Sequence, residues 1–216
     1  NKLDYFVNKT SHKEWKTASK KKFIDLLSLN KNLYIKEVNR MKMPIKKDYS
    51  RTRIYLEFSK HRHAPIDIIT NNKFTKFKGL IVCMQGTNSG AHLSLGEIKM
   101  PADIYKITNG SAIALQAADE GFIAISYERI GFGERQERKL HKANSSPTID
   151  FSFHSLILGK TSLGETVSEI SLLVKWLKNN YQNYSVWLKG YSAAGTAALC
   201  AAAADNNIDG IAIGGC

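Results

Sequence analysis

Ser192 stands in the run Gly190-Tyr191-Ser192-Ala193-Ala194-Gly195, between the β-forming stretch Tyr184 to Lys189 and the alanine-rich stretch Ala193 to Ala204. A serine at a sharp strand-to-helix joint is the layout of a nucleophile elbow, in which the turn lifts the hydroxyl clear of the chain so that it can attack an acyl carbon. Such a turn strains its central residue and presses strand against helix, so the positions two before and two after the serine must be small. Gly190 and Ala194 meet that requirement. The usual pattern has glycine where Ala194 stands, so it is missed by one methyl group, with Gly195 following at once.

Attack on an ester carbonyl places negative charge on its oxygen, and two backbone N–H groups must be waiting for it. One comes from the residue after the nucleophile, here Ala193. The other is expected from a loop that follows an upstream central strand. The continuous apolar run Gly79 to Met84 (GLIVCM) reads as such a strand, and Gln85-Gly86-Thr87-Asn88-Ser89-Gly90 follows it. Thr87 is the candidate for the second N–H. The same small polar residues would also suit an ordinary strand-to-helix connection; the elbow downstream favours the oxyanion role.

The elements that must hold these residues alternate along the chain. Arg53 to Phe58 and Pro65 to Thr70 read as strands, Ser111 to Glu120 as a helix ending at Gly121, and Phe122 to Tyr127 as a second central strand. Ser162 and Glu165 open a long helix whose apolar positions Leu163, Val167, Ile170, Leu173, Leu177 and Tyr181 recur every three or four residues. The elbow strand, its helix and a last strand from Ile208 to Ile213 complete an α/β chain whose central sheet is mostly parallel, with helices on both faces.

Composition agrees with one packed domain: of 216 residues 43% are hydrophobic and 23% charged. No run of eighteen apolar residues could cross a membrane. Cys83, Cys200 and Cys216 each sit in an apolar segment and lack the spacing of a disulfide framework or zinc site, so they are expected as buried thiols. The net charge of +12 is uneven: residues 1–63 hold 17 of the 31 Lys and Arg against 6 of the 19 Asp and Glu, which puts +11 there. Residues 1–50 form a basic N-terminal helical segment and residues 51–216 the α/β unit. Ser11 and Glu14 in capping-box spacing open the basic helix, and Trp15, Ala18, Phe23, Leu26 and Leu27 give it a docking face, so Lys20-Lys21-Lys22 read as a solvated side and not a nucleic-acid surface.

Four blocks carry a resemblance: QGTNSGAHLSLGE, ADEGFIAISYERIGFGER, LILGKTSLGETVSEISLLVKWL and GYSAAGT. In this order and spacing they resemble α/β hydrolases of the dienelactone hydrolase and acetylxylan esterase-like group, over roughly Gly79 to Cys216. The resemblance implies an α/β-hydrolase fold and Ser192 as nucleophile. Gln85-Gly86 stands where such enzymes often have His-Gly, and Glu128, Arg129, Gly131, Gly133 and Arg135 match a segment that builds a loop. In these enzymes the acid and then the histidine of the triad follow the serine, each after a later strand. Only Asp205 and Asp209 follow Ser192, neither at the C-terminal end of a strand. His12, His61, His63, His92, His141 and His154 all precede it, and a base such as His92 or His154 would break the chain order of the fold. The expectation is therefore the N-terminal and central part of an esterase with the C-terminal part, including the acid and histidine, outside this sequence. Its partner is a small-molecule ester; no metal or organic cofactor, nucleic acid or membrane is implied. The alternatives are a noncatalytic α/β-hydrolase-fold binding protein and a basic nucleic-acid binder using residues 1–63.

Overall fold

A computed structural model describes residues 11–136 and 148–216. A seven-stranded sheet organises them in the order β1-β2-β3-β5-β4-β6-β7. Its strands are β1 (Lys36–Lys42), β2 (Tyr49–Ser59), β3 (Arg62–Asn71), β4 (Leu80–Met84), β5 (Ile123–Tyr127), β6 (Val186–Tyr191) and β7 (Gly210–Gly214). The parallel strands expected from the βα alternation are β5, β4, β6 and β7, each hydrogen-bonded in parallel to its neighbour. On the other side β1, β2 and β3 form an antiparallel meander, and β3 joins it to β5 antiparallel. Residues 1–50, expected as a helical segment, thus also contribute an edge strand. β1 escapes a sequence reading because all but one of its residues are exposed, so no alternation marks it.

The helices are α1 (His12–Leu27), α2 (Pro101–Thr108), α3 (Ile113–Asp119), α4 (Ile149–Ile157), α5 (Ser162–Asn180) and α6 (Ala193–Ala204). Side chains of a strand alternate between sheet faces, and the two faces here have separate cores. Leu80, Val82 and Met84 of β4 with Ile123 and Ile125 of β5 pack against Val167, Ile170 and Leu173 of α5 and the alanines of α6. Ile81, Cys83 and Ala124 point the other way, onto Ala114, Leu115 and Ala118 of α3. Helices on both faces are what β4 and β5 demand, since all ten of their residues are buried.

The capping box of α1 is formed: Glu14 N donates to Ser11 Oγ at 3.2 Å and Ser11 N to Glu14 Oε2 at 3.1 Å. Its docking face is narrower than expected, because Leu27 is buried and Phe23 packs on the core while Ala18 and Leu26 are exposed. The helix ends against α5 at backbone distance. A Cβ on Gly164 would lie 1.8 Å from Leu27 O, and Thr161 Oγ1 donates to that same oxygen at 2.9 Å. Of the three cysteines only Cys83 is buried, in the central strand β4; Cys200 is half-buried on α6 and Cys216 exposed beyond β7. The expectation of three buried thiols is corrected accordingly. Burial pushes the Cys83 thiol up to about 12, opposed by the Lys189 charge, which leaves it unreactive at neutral pH.

Candidate active site

β6 ends at Tyr191 and α6 begins at Ala193, so Ser192 alone makes the joint. Its backbone lies at φ 55°, ψ −129°, a conformation that costs a non-glycine residue on the order of 1–3 kcal/mol. The surroundings hold it there: Ser192 N donates to Gly214 O at 2.8 Å, and Thr196 N donates to Ser192 O at 3.1 Å. Gly190 is obligatory, since a Cβ there would meet the Ala194 carbonyl oxygen at 2.4 Å and its carbon at 2.6 Å. Ala194 is fully buried among the core residues between α6 and the sheet, where its single methyl is accommodated. At Gly195 a side chain would come within 3.2 Å of the Cys216 Cβ.

The loop after β4 runs directly past this joint. A Cβ on Gly86 would be 2.9 Å from Tyr191 O and 3.2 Å from the Ser192 Cβ, so only glycine lets the two segments approach so closely. Gln85 pins the loop from beneath. Its buried amide donates to Ser94 Oγ at 2.8 Å and Ser111 O at 2.7 Å, and accepts from Asn88 Nδ2 at 3.0 Å. Thr87 and Ala193 line one cleft of about 270 Å³, walled by Phe132, Phe151 and Leu163. Neither the Thr87 N–H nor the Ala193 N–H donates to a main-chain acceptor among the described residues. Two residues whose N–H groups no main-chain acceptor takes up among the described residues thus line one cleft, a composition that suits the reception of a developing oxyanion.

The segment after β5 supports this loop. Glu128 accepts from Ala91 N at 3.0 Å and from Glu134 N at 3.4 Å, and a Cβ on Gly133 would collide with its carboxylate at 2.0 Å. Gly131, at φ 82°, lies against Phe151. Arg135 reaches Glu169 on α5 with two hydrogen bonds of 2.7 Å. Arg62 and the Tyr127 hydroxyl bond the same carboxylate. Burial alone would raise Glu169, but the charges of Arg135 and Arg62 more than offset it and hold the carboxyl at about 2.

Among the described residues the Ser192 hydroxyl has no hydrogen-bond partner, and no histidine is brought to it. His92 is buried elsewhere in the loop region, with Nε2 2.9 Å from Asp103 Oδ2 and 3.4 Å from Ser89 Oγ. One ring nitrogen serves both neighbours, unlike a relay in which acid and nucleophile sit on opposite nitrogens. Burial opposes ionisation of Asp103, yet hydrogen bonds from Ser89, His92 and the N–H groups of Lys99 and Met100 hold its carboxyl far below the usual range. That cluster, with Asp103 in the first turn of α2, is a structural knot which sequence spacing does not announce. His63 pairs with Glu57 at 3.1 Å, His154 lies on the exposed side of α4, and His141 falls outside the described residues. Asp205 bonds Asn207 N at 2.9 Å in the turn after α6, and Asp209 accepts from Val186 N at 2.7 Å and from Lys178. The described residues contain no group of three or more His, Cys, Asp or Glu side chains placed to hold a metal ion. No helix among them is long and apolar enough to cross a membrane.

No protein-family model matches the chain, and no curated protein matches it by sequence. Solved structures do. A candidate acetyl xylan esterase from Bacteroides fragilis superposes with a TM-score of 0.74 at 16% identity, covering 92% of this chain and 52% of its own. A glucuronoyl esterase from Solibacter usitatus matches with a TM-score of 0.57 at 14% identity, over 94% and 59% of the two chains. Acetyl xylan esterase 1 from Thermoanaerobacterium matches with a TM-score of 0.52 at 13% identity, over 91% and 56%. This chain thus spans rather more than half the length of each of the three.

Proposed function

We propose, from the premise that this chain has the α/β-hydrolase fold, that it carries the nucleophile and oxyanion hole of a serine hydrolase acting on carboxylic esters. The observation that carries the reading is the backbone of Ser192, at φ 55°, ψ −129° in the joint between β6 and α6. Strain of this kind persists only where the surroundings enforce it, and it concentrates at functional sites. The names of the structural neighbours, all esterases, support the same class of substrate.

In this reaction the Ser192 Oγ attacks the ester carbonyl carbon and gives its proton to a general base. The carbonyl oxygen becomes an oxyanion held by the N–H groups of Ala193 and Thr87. When the C–O bond to the alcohol breaks, the base returns the proton to the leaving alcohol and the acyl group stays on Ser192. Water, deprotonated by the same base, then attacks the acyl carbon; the bond to Ser192 Oγ breaks, the base returns the proton to that oxygen, and the carboxylic acid leaves. The base and its acid partner are assigned to a histidine and a carboxylate outside these 216 residues. No metal or organic cofactor enters the scheme.

That the Ser192 hydroxyl has no base beside it among the described residues also suits a noncatalytic binding protein of the same fold. One experiment separates the two. In the complete natural protein a fluorophosphonate probe should label Ser192 and no other serine. Ser192→Ala should abolish labelling and lower ester turnover by on the order of a thousandfold or more. Undiminished turnover in that variant would refute the assignment.

A further inference from the structure

Two residues after β5, Arg129 is buried, at 6% exposure. Arg51, also buried, and Arg62 and Arg135, partly buried, each face a carboxylate. Arg51 lies 2.7 Å from Asp67, Arg62 2.6 Å from Glu169 and Arg135 2.7 Å from Glu169. Arg129 has no carboxylate within ion-pair distance among the described residues. Its donors go instead to two main-chain carbonyls: Nε and Nη2 to Gln85 O at 3.2 and 2.9 Å, and Nη2 to Gly86 O at 3.2 Å. The guanidinium carbon sits 4.1 Å from the centroid of the Phe132 ring. Burial lowers its pKa to about 10, with Tyr127 and Glu128 opposing, so the group is cationic at neutral pH. For stability alone this is a poor use of a buried charge, because the attraction that offsets desolvation in the other three pairs is missing among the described residues.

Both carbonyls belong to the loop that touches Ser192. The chain has no cis peptide bond among the described residues, and a trans peptide is planar with its C=O and N–H pointing opposite ways. Clamping Gly86 O therefore fixes the direction of the Thr87 N–H across the same plane. A cation on the oxygen also draws electron density through the amide and makes that N–H a stronger donor. Arg129 lines the same cleft as Thr87 and Ala193, so its charge, which no carboxylate pairs among the described residues, adds to the field that favours an oxyanion there.

We propose that Arg129 is the positioning residue of the oxyanion hole: it locks the peptide between Gly86 and Thr87 and polarises the Thr87 N–H that receives the oxyanion. The proposal rests on the assignment of Ser192 as nucleophile. It predicts a loss in the chemical step and not in ground-state binding, since the oxyanion exists only in the transition state and intermediate.

The test compares Arg129→Lys, Arg129→Ala and Ser192→Ala in the complete natural protein, on a neutral short-chain aryl ester and on an ester of similar size bearing a free carboxylate. Arg129→Ala should lower kcat by on the order of a hundredfold on both esters, with KM within about threefold. Added methylguanidinium should restore part of that loss. Arg129→Lys keeps the charge but not the fork that spans two carbonyls, so its kcat should fall by about tenfold. If the alanine variant does not fold, the lysine variant decides. Unchanged kcat in a folded Arg129→Lys or Arg129→Ala protein overturns the proposal. So does a rise in KM confined to the anionic ester, which would make Arg129 a substrate subsite. Retained turnover in Ser192→Ala would instead refute the nucleophile assignment, whatever the Arg129 variants do.

Discussion

Replacing Ser192 by glycine should stabilise the protein while abolishing its chemistry. At φ 55°, ψ −129° the residue occupies the mirror image of the extended region, which glycine enters freely and side chains resist. Relief of that strain contributes roughly 1–3 kcal/mol to the folded state. Glycine also loses more conformational freedom on folding, at a cost of about 0.5–1 kcal/mol relative to alanine. The hydroxyl makes no hydrogen bond among the described residues, so its loss subtracts little. Net, Ser192→Gly should exceed Ser192→Ala by about 0.5–2 kcal/mol, or roughly 1–8 °C in Tm for a chain of this size. Paired urea and thermal unfolding of the two variants measures the difference, since both lack the oxygen and only the backbone preference separates them. If Ser192→Gly proved less stable than Ser192→Ala, the elbow would not be strained and the central argument for the site would fail.

Two further outcomes follow from the packing around the site. Ala194→Gly should leave ester turnover within a few-fold, whereas Ala194→Val must force two methyl groups into a fully buried position between α6 and the sheet and should cost about 1–3 kcal/mol by chemical denaturation, along with most of the activity. Equal behaviour of the two would remove Ala194 from the packed side of the turn. Glu169 is held at about 2 against an ordinary 4.5. Because its folded value is depressed, its contribution to stability is full above about pH 5 and is lost as pH falls from 4.5 toward 2. Glu169→Gln should flatten that part of the stability–pH curve and, by leaving Arg135 without its partner, cost on the order of 3–5 kcal/mol at neutral pH. A wild-type slope between pH 5 and 3 that survives in Glu169→Gln would place the titration elsewhere.

Much of the framework was legible because burial on both faces writes itself into composition. GLIVCM and FIAISY could only be central strands, and the three-to-four spacing from Leu163 to Tyr181 could only be a helix with one buried side. The strand, turn and helix around Ser192 were legible because the small residues such a joint demands fall within the six positions from Gly190 to Gly195. What stayed hidden depends on pairs far apart in sequence. Nothing near Arg129 says that its guanidinium will meet the Gln85 and Gly86 carbonyls, because that contact exists only once β4 and β5 lie side by side. The Ser89, His92 and Asp103 knot likewise joins a loop to a helix start. β1 is a solvated edge with no alternation to read, and α4 turns Phe153, Leu156 and Ile157 outward, so its periodicity points away from the core.

The position of β4 between β5 and β6 has a kinetic consequence. The antiparallel β2 and β3 turn back on each other within a few residues and can zip locally, but β4 cannot gain its second neighbour until β6, about a hundred positions later, has been made and docked. The loop after β4 and the turn after β6 are the two halves of the site, and the approach of Gly86 to Ser192 depends on that same late pairing. During synthesis the N-terminal meander can therefore form early, while Ser192 and the loop after β4 are brought together in one of the last steps of sheet closure. Late assembly of the candidate site is a direct outcome of strand order.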